Sequence, residues 1–172
     1  MERVVILGCA GTGKSTLARR LGAKTGLPVV HLDALFWEPG WQESDPAVFR
    51  QRVTEALAGG RWITDGIYNS KTFDLRLPQA DLIVWIDQPL ALRLWRVIWR
   101  ALRHRGQTRP DMAPDCPEKV DLEFLKYIWN FDRKNRPRLE AAIARLAPTT
   151  PLVRLRGDRQ IARFLEGIPA RR

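Results

Sequence analysis

The chain has 172 residues, of which 45% are hydrophobic, and this is enough for one domain with a sizeable core and too few for two. Its formal net charge of +10 excludes an acidic binding module and fits a phosphate-bearing partner, either a nucleotide or a nucleic acid. No apolar run is long enough to span a bilayer, and the first strand runs into a polar loop rather than a signal-peptide cleavage site. We therefore expect a cytoplasmic protein, one domain over 1–172, with no membrane partner.

The N-terminal segment predicts a strand, a glycine-rich loop and a helix. The apolar run at 4–7 is followed by GCAGTGKS at 8–15, which fits the pattern G-x-x-x-x-G-K-[ST], and then by helix-favouring residues. Such a loop turns successive backbone N–H groups around an anion at a helix N-terminus. The pattern predicts an ATP site, with Lys14 on the β- and γ-phosphates and Ser15 on Mg²⁺. The predicted nucleotide-binding residues are Gly8, Gly11, Thr12, Gly13, Lys14, Ser15 and Thr16.

The segment LPVVHLDAL at 27–35 predicts a second buried parallel strand with Asp33 at its carboxyl end, where open α/β sheets bind ligands. A carboxylate there is suited to orient a hydroxyl acceptor and to take its proton. Asp33 is equally able to cap the following turn or to pair with Arg76. His31 is expected to be a buried strand residue with a backbone partner and without a chemical role.

Irregular sequence follows, with Pro39 and Gly40 between two tryptophans. Trp37 and Trp41 suit an aromatic wall that stacks on a base or sugar, and they suit equally well a hydrophobic flap over the core. Asp45 and Pro46 then predict the start of a helix that ends near 58.

Two further strands are predicted, at 62–64 and at 81–86, and the first delivers Asp65 to the same edge of the sheet as Asp33. A helical pattern from 90 to about 105 places Arg96 and Arg100 on one face, one turn apart. One interpretation is that these arginines are solvated, opposite an apolar side made by Leu92, Trp95 and Trp99.

The rest of the chain predicts a loop at 106–117, a long helical stretch from 117 or 118, a fifth strand at 151–157, and a last helix at 158–166 capped by Asp158. Strands that alternate with helices predict a doubly wound parallel sheet. Cys9 and Cys116 are far apart and lack metal-ligand spacing, so both are expected to be free thiols. Arginines concentrate at 93–109 and 133–145.

Several separated motifs together resemble a known family. They are GCAGTGKSTLARRLG, HLDALFWEPGW, RWITDGIY, ADLIVWIDQP, LWRVIWR and the RPDM…CPE loop, and they span residues 3 to about 157. The chain resembles small P-loop kinases of the adenylate kinase-like superfamily, and among them the proteins labelled DNA topology modulation or adenylate kinase-related. The resemblance implies a three-layer α/β P-loop NTPase fold, a five-stranded parallel sheet in the order 2-3-1-4-5, and a mobile helical lid around 100–120.

The resemblance also implies site residues. The TDG at 64–66 resembles the DG that nucleotide monophosphate kinases place beside the phosphate loop, so Asp65 would hold the water shell of Mg²⁺. Those kinases continue with an arginine for the acceptor phosphate, whereas here Tyr68 and Asn69 follow. The candidate acceptor residues are Asp33, Trp37, Trp41, Asp65, Gly66, Tyr68 and Arg76, with Arg76 as a replacement cation for the missing arginine. Arg96 and Arg100 match the arginines that flank the lid and touch ATP, and further lid candidates are Arg103, Arg105, Arg109, Arg133 and Arg136.

Two functions of different classes fit these observations. The first is an ATP- and Mg²⁺-dependent kinase that phosphorylates a small molecule, with Lys14, Asp33, Arg96 and Arg100 as its catalytic residues. The second is a nucleic-acid-associated NTPase or regulator, which the family label suggests and the basic charge permits. No helix-turn-helix, zinc module or single-strand-binding motif accompanies the second function.

Overall fold

A computed structural model describes residues 1–104 and 106–170. Five parallel strands form the central sheet, and helices cover both of its faces. The strands are β1 Arg3–Leu7, β2 Val29–His31, β3 Trp37–Glu38, β4 Gln42–Glu43, β5 Trp62–Asp65, β6 Leu82–Ile86 and β7 Leu152–Leu155. The helices are α1 Lys14–Thr25, α2 Leu32–Phe36, α3 Pro46–Leu57, α4 Asn69–Arg76, α5 Leu90–Arg103, α6 Leu122–Lys134, α7 Arg136–Leu146 and α8 Asp158–Gly167, and a short 3₁₀ turn spans Leu77–Gln79.

The order of the strands in the sheet is β2-β5-β1-β6-β7, and every neighbouring pair is parallel. This differs from the expected numbering 2-3-1-4-5 because two short strands, β3 and β4, come between β2 and β5 along the chain. They pair antiparallel with each other as a separate ribbon and do not join the sheet. The expectation counted the strands of the sheet alone and missed this ribbon. Strand β1, which leads into the glycine-rich loop at 8–15, lies in the middle of the sheet. We use the name phosphate loop for residues 8–15.

Alternate residues of the central strand face two separate cores. Val5 and Leu7 pack with apolar residues of α3, α4, α6 and α7, whereas Val4 and Ile6 pack with residues of α1 and α8. All four side chains have no exposed surface. Because both faces of β1 are buried, this strand reads as a continuous apolar run rather than an alternating one.

Several helix boundaries differ from the predicted ones. The predicted helix at 45–58 is confirmed, and Asp45 caps it by accepting hydrogen bonds from the N–H groups of Ala47 and Val48. The stretch predicted to begin at 117 or 118 begins instead at Leu122, because the Asp121 carboxylate caps that turn. The stretch is also two helices rather than one, with a break before Pro137, which has no N–H to continue the first helix.

Two further differences concern the edges of elements. Asp33 does not end β2, because the strand stops at His31 and Asp33 lies in the first turn of α2. Asp158 does not cap α8, since Gly157 holds that position with a φ of +88° and Asp158 is the first helical residue. Among residues 1–104 and 106–170, no helix is both long and apolar enough to cross a membrane.

Candidate active site

The glycines of the phosphate loop are required by close backbone contacts. Gly8 has a φ of +147°, and a Cβ there would lie 2.6 Å from the Ile86 carbonyl oxygen on the neighbouring strand β6. Gly11 has a φ of +76°, and its Cβ would lie 2.5 Å from the Arg93 carbonyl oxygen on α5. Any other residue would strain the backbone and push these elements apart. The loop is therefore held between β6 and α5, directly before α1.

Polar side chains of the loop are arranged around one carbonyl group. The Thr12 hydroxyl donates a 2.8 Å hydrogen bond to the Cys9 carbonyl oxygen, and the Lys14 ammonium donates a 3.0 Å bond to the same oxygen. Gly13, in the left-handed conformation, precedes the first turn of α1 without any side-chain cap. Ser15 is half-buried and Thr16 is exposed in that turn. The N–H groups at the start of α1 therefore lack an internal side-chain acceptor and suit an anion.

Asp65 ends strand β5 beside β1, where it is 4% exposed. Its Oδ1 lies 2.6 Å from Nδ1 of His31, the last residue of β2. Burial lowers the pKa of His31, but the hydrogen bond and negative charge of Asp65 outweigh this and leave that pKa raised. The expectation that His31 has a backbone partner and no chemical role was wrong about the partner. The two side chains are brought together because β2 and β5 are paired in register at these residues.

Asp33 lies on α2 and accepts a 2.6 Å hydrogen bond from the Tyr68 hydroxyl. Burial raises the pKa of the Asp33 carboxyl, against this hydrogen bond and the positive charge of Lys14. Tyr68 itself has a φ of +40° at the start of α4, just after Gly66 with a φ of +124°. This sharp turn after β5 brings the phenol onto Asp33, so a carboxylate with one fixed donor stands near the phosphate-loop lysine.

Trp37 is the first residue of β3 and Trp41 lies in the turn before β4, and the two rings pack edge to face with centroids 5.3 Å apart. We use the name lid segment for residues 106–120. Its buried Met112, Ala113 and Cys116 pack against both tryptophans, and the Trp41 indole donates a 3.0 Å hydrogen bond to the Pro117 carbonyl oxygen. The tryptophans thus contact the lid segment and form a base for it. Both cysteines are buried free thiols, as expected.

Two acidic residues of the lid segment, missed by the sequence analysis, join it to the phosphate loop and to α5. Asp111 pairs with Arg109 at 2.7 Å and with Arg19 of α1 at 3.5 Å. Burial raises the pKa of the Asp111 carboxyl, but the charge of Arg109 and a hydrogen bond from the Ser15 hydroxyl outweigh burial and hold that pKa below its usual value. Glu118, 3% exposed at its side chain, pairs with Arg109 at 2.6 Å. The RPDM…CPE motif contained both acids, but nothing local indicated their partners.

Arg96 and Arg100 both point inward from α5. Arg96 donates to the Thr12 carbonyl oxygen of the phosphate loop at 3.5 Å and pairs with Asp158 at 2.6 Å. Arg100 pairs with Glu118 of the lid segment at 2.7 Å. The alternative of two solvated arginines opposite an apolar side is therefore wrong. The tryptophans of that side, Trp95 and Trp99, are instead 59% and 53% exposed.

The other lid candidates differ in position. Arg109 is paired with Glu118 inside the lid segment. Arg136 pairs with Asp87 at 2.6 Å, and Arg103 and Arg133 are exposed. Arg105 lies outside the described residues. An arginine not predicted, Arg93, is 2% exposed, forms an ion pair with Asp132 of α6, and contacts Gly11 through its carbonyl. It fixes α5 against the phosphate loop.

Arg76 is hydrogen-bonded to the backbone of the turn after β5, contrary to its prediction as a replacement cation. It has no exposed surface, and its guanidinium donates to the Ile67 carbonyl oxygen at 2.6 Å and to the Gly66 carbonyl oxygen at 3.3 Å. Burial lowers its pKa to about 9. Its role is to hold the turn that places Tyr68, since both acceptors belong to that turn. It does not pair with Asp33, whose partner is Tyr68.

Replacing Arg76 with methionine is expected to destabilise the fold by about 2 kcal/mol, because the carbonyl groups of Gly66 and Ile67 would lose a charged donor while buried. Urea denaturation followed by circular dichroism measures this change. Arg163→Met, at an exposed position of α8, is the matched control. Equal stability of the two variants would mean that Arg76 does not hold the turn.

Comparisons with known proteins agree with this architecture. No known family profile matches the chain, and no curated protein sequence matches it. An unliganded sugar kinase from Janibacter sp. HTCC2649 aligns with 96% of this chain and 93% of its own, at 18% identity and a TM-score of 0.51. Shikimate kinase from Acinetobacter baumannii, in complex with shikimate, aligns over 96% and 89%, at 18% identity and a TM-score of 0.55. The chain therefore has the α/β P-loop kinase fold, while the narrower likeness to DNA topology modulation proteins is not confirmed.

Proposed function

We propose that this protein is an ATP- and Mg²⁺-dependent kinase that phosphorylates a hydroxyl group of a small, uncharged acceptor of the nucleoside or sugar type. The observation that carries the proposal is the Asp33–Tyr68 pair, joined at 2.6 Å and close enough to Lys14 for the lysine to act on the Asp33 carboxyl. A hydroxyl acceptor needs such a carboxylate, whereas a phosphate acceptor ionises by itself. The shared fold with a sugar kinase and a shikimate kinase supports the same reaction class.

The phosphate loop is proposed to hold the ATP phosphates. Backbone N–H groups from Gly8 to Thr16 surround the phosphates, and Lys14 leaves the Cys9 carbonyl oxygen for the β- and γ-phosphate oxygens. The loop is already curved by its positive-φ glycines, so binding requires little rearrangement of the backbone.

The residues around Ser15 fit a magnesium ion. The Ser15 hydroxyl and the Asp65 carboxylate are oxygen donors, and Mg²⁺ prefers such donors together with phosphate oxygens and water. In the described part of the chain, no three His, Cys, Asp or Glu side chains are grouped to hold a metal alone, which suits an ion that arrives with the nucleotide. When bound, Mg²⁺ would neutralise charge on the β- and γ-phosphates.

The acceptor hydroxyl is proposed to donate its hydrogen bond to Asp33, with Tyr68 fixing the carboxylate. As the acceptor oxygen forms its bond to the γ-phosphorus, the bond from that phosphorus to the bridging oxygen breaks, ADP leaves, and the acceptor proton passes to Asp33. Lys14, Arg96 and Arg100 supply positive charge around the transferring group. Before ATP binds, Arg96 contacts the Thr12 carbonyl oxygen and Asp158, and Arg100 pairs with Glu118 of the lid segment.

The charges of the site argue for an acceptor without its own phosphate or carboxylate. Arg76 is buried, Arg109 is committed to Asp111 and Glu118, and the acceptor side has the carboxylate of Asp33. Trp37 packs on Trp41 and on Phe36, and Phe36 contacts Tyr68, so these rings form an apolar wall that suits a base or a sugar face. The lid segment packs on this wall, so it can exclude water from the transfer.

The test is ATP turnover by the purified protein with Mg²⁺, measured against pools of nucleosides, sugars and small polyols, and nucleoside monophosphates, with DNA in parallel wells. We expect stimulation by a pool of uncharged acceptors and a phosphorylated product by mass spectrometry. Stimulation by nucleoside monophosphates alone would contradict the uncharged acceptor. Release of free phosphate with DNA alone would favour the nucleic-acid-associated NTPase.

Replacing Arg96 with alanine is expected to lower kcat about tenfold or more while changing ATP affinity less, since positive charge beside the phosphate loop is needed most in the transition state. Steady-state kinetics and calorimetric ATP titration separate the two effects. Arg163→Ala, exposed on α8, is the charge-matched control. Normal turnover by the Arg96 variant would remove this arginine from the catalytic set.

A further inference from the structure

Helix α5 buries arginines beside its core residue Val97 and leaves its other face apolar and exposed. Arg93 pairs with Asp132 of α6, Arg96 donates to the phosphate loop, and Arg100 pairs with Glu118 of the lid segment. The outward residues repeat at the spacing of one helix face and are largely exposed: Trp95 by 59%, Ile98 by 45%, Trp99 by 53% and Leu102 by 69%. The rings of Trp95 and Trp99 are stacked, 6.2 Å apart. The ion pairs of the inner face thus fix an apolar surface toward the outside.

Helix α6 also has exposed apolar residues. Leu122 and Trp129 are 73% and 64% exposed, and their spacing places them along one stripe of α6 with Asp132. Asp132 pairs with Arg93, so α6 packs beside α5. We use the name apolar platform for Trp95, Ile98, Trp99, Leu102, Leu122 and Trp129.

The apolar platform is large for a single chain. A tryptophan has about 250 Å² of surface to bury, so the three exposed indoles alone leave about 400 Å² accessible. The largest apolar patch on a typical monomer is about 300–600 Å² in total, and patches of that size mark interaction sites. None of these six side chains is required to fill either main core.

Three exposed cations lie next to the apolar platform along the chain. Arg103 follows Trp99 by one turn on α5, and Lys126 and Arg133 lie one turn before and after Trp129 on α6. Of the acids of α6, Asp121 is its N-cap and Asp132 pairs with Arg93 and Arg136, while Glu123 is exposed. The whole chain carries a net charge of +10.

We propose that the apolar platform docks this protein on the surface of an anionic lipid bilayer. Tryptophan, leucine and isoleucine side chains with a rim of lysine and arginine are suited to the boundary between headgroups and acyl chains. A second copy of the chain would bring the same cationic rims together, and nucleic-acid bases would stack on the tryptophans but not on Ile98, Leu102 or Leu122. Docking needs no membrane-spanning helix. The proposal departs from the expectation of no membrane partner and stands independently of the proposed kinase activity.

The test is cosedimentation of the full chain with vesicles of phosphatidylcholine alone or of phosphatidylcholine and phosphatidylglycerol in equal parts, at low and high salt. We expect binding to the anionic vesicles, weakened by salt, and at least about a tenfold loss of partitioning in the double variant Trp95→Ser, Trp99→Ser. Lys126→Gln should weaken partitioning about fivefold. Val48→Ser, which removes an apolar side chain that is 41% exposed on α3, is the control and should bind like the wild type.

We expect each variant to be folded because the substituted side chains are on the surface, and circular dichroism checks this. Absence of the wild type from the pellet, or equal binding by the tryptophan variant, overturns the proposal. So does a wild-type dimer in analytical ultracentrifugation that the tryptophan substitutions dissociate while vesicles stay unbound, because a second copy is then the occupant. Binding to a single-stranded oligonucleotide without vesicle binding would likewise assign the platform to nucleic acid.

Discussion

Replacing Lys14 with alanine is expected to abolish measurable ATP binding and to reduce turnover at least about a hundredfold. The Lys14 ammonium lies 3.0 Å from the Cys9 carbonyl oxygen, inside the curve of the phosphate loop, where it is placed to meet the β- and γ-phosphates. Alanine keeps the helix but removes the one cation that the loop itself contributes among the described residues. Calorimetric titration with a non-hydrolysable ATP analogue and steady-state kinetics measure the two losses.

The control for Lys14→Ala is Arg20→Ala, which removes a positive charge from an exposed position of the same helix. Simple loss of charge near the nucleotide would affect both variants at low salt, whereas loss of a phosphate contact affects Lys14→Ala alone and at any salt. If folded Lys14→Ala protein bound and turned over ATP like the wild type, the assignment of the phosphate loop would fail.

The phosphate loop was predicted from sequence because its requirements are local. Each glycine is needed where its own backbone has a positive φ, and Lys14 and Ser15 follow at fixed spacing at the start of α1. The apolar runs predicted the five strands of the sheet for the same reason, since a buried parallel strand is apolar on both faces. The separate ribbon escaped prediction because β3 and β4 have only two residues each.

The partners of the site residues could not be predicted because they are distant along the chain. Arg100 and Glu118 are 18 residues apart, Arg96 and Asp158 are 62 apart, and Asp33 and Tyr68 are 35 apart. The sequence therefore indicated which residues carry charge but not which charges face each other. On α5 the usual expectation of apolar residues inside and charged residues outside placed the arginines wrongly. They lie on the inner side because they pair with acids of the lid segment and α8.

Replacing Asp33 with asparagine is expected to leave ATP binding unchanged and to lower phosphoryl transfer by about 10²–10⁴-fold, the range for loss of a general base. Asparagine keeps the size of the side chain and can still accept the 2.6 Å hydrogen bond from Tyr68, but it cannot take the acceptor proton. Tyr68→Phe, which spares the carboxylate and removes only the hydroxyl that fixes it, should lower transfer less. Equal kcat for Asp33→Asn and the wild type would leave Asp33 without a catalytic role.

The stability of the Asp33 variant distinguishes lost chemistry from lost structure. Because burial raises the pKa of Asp33 in the folded protein, the folded state binds this proton more tightly than the unfolded state does. Stability therefore falls as pH rises from the ordinary pKa of an aspartate to the raised one, and the cost persists at neutral pH. Asp33→Asn removes that cost, so we expect its Tm at neutral pH to equal or exceed that of the wild type. A site carboxylate that is retained although it lowers stability is typical of a catalytic residue. If Asp33→Asn were both less stable and inactive, Asp33 would instead be a structural residue of α2.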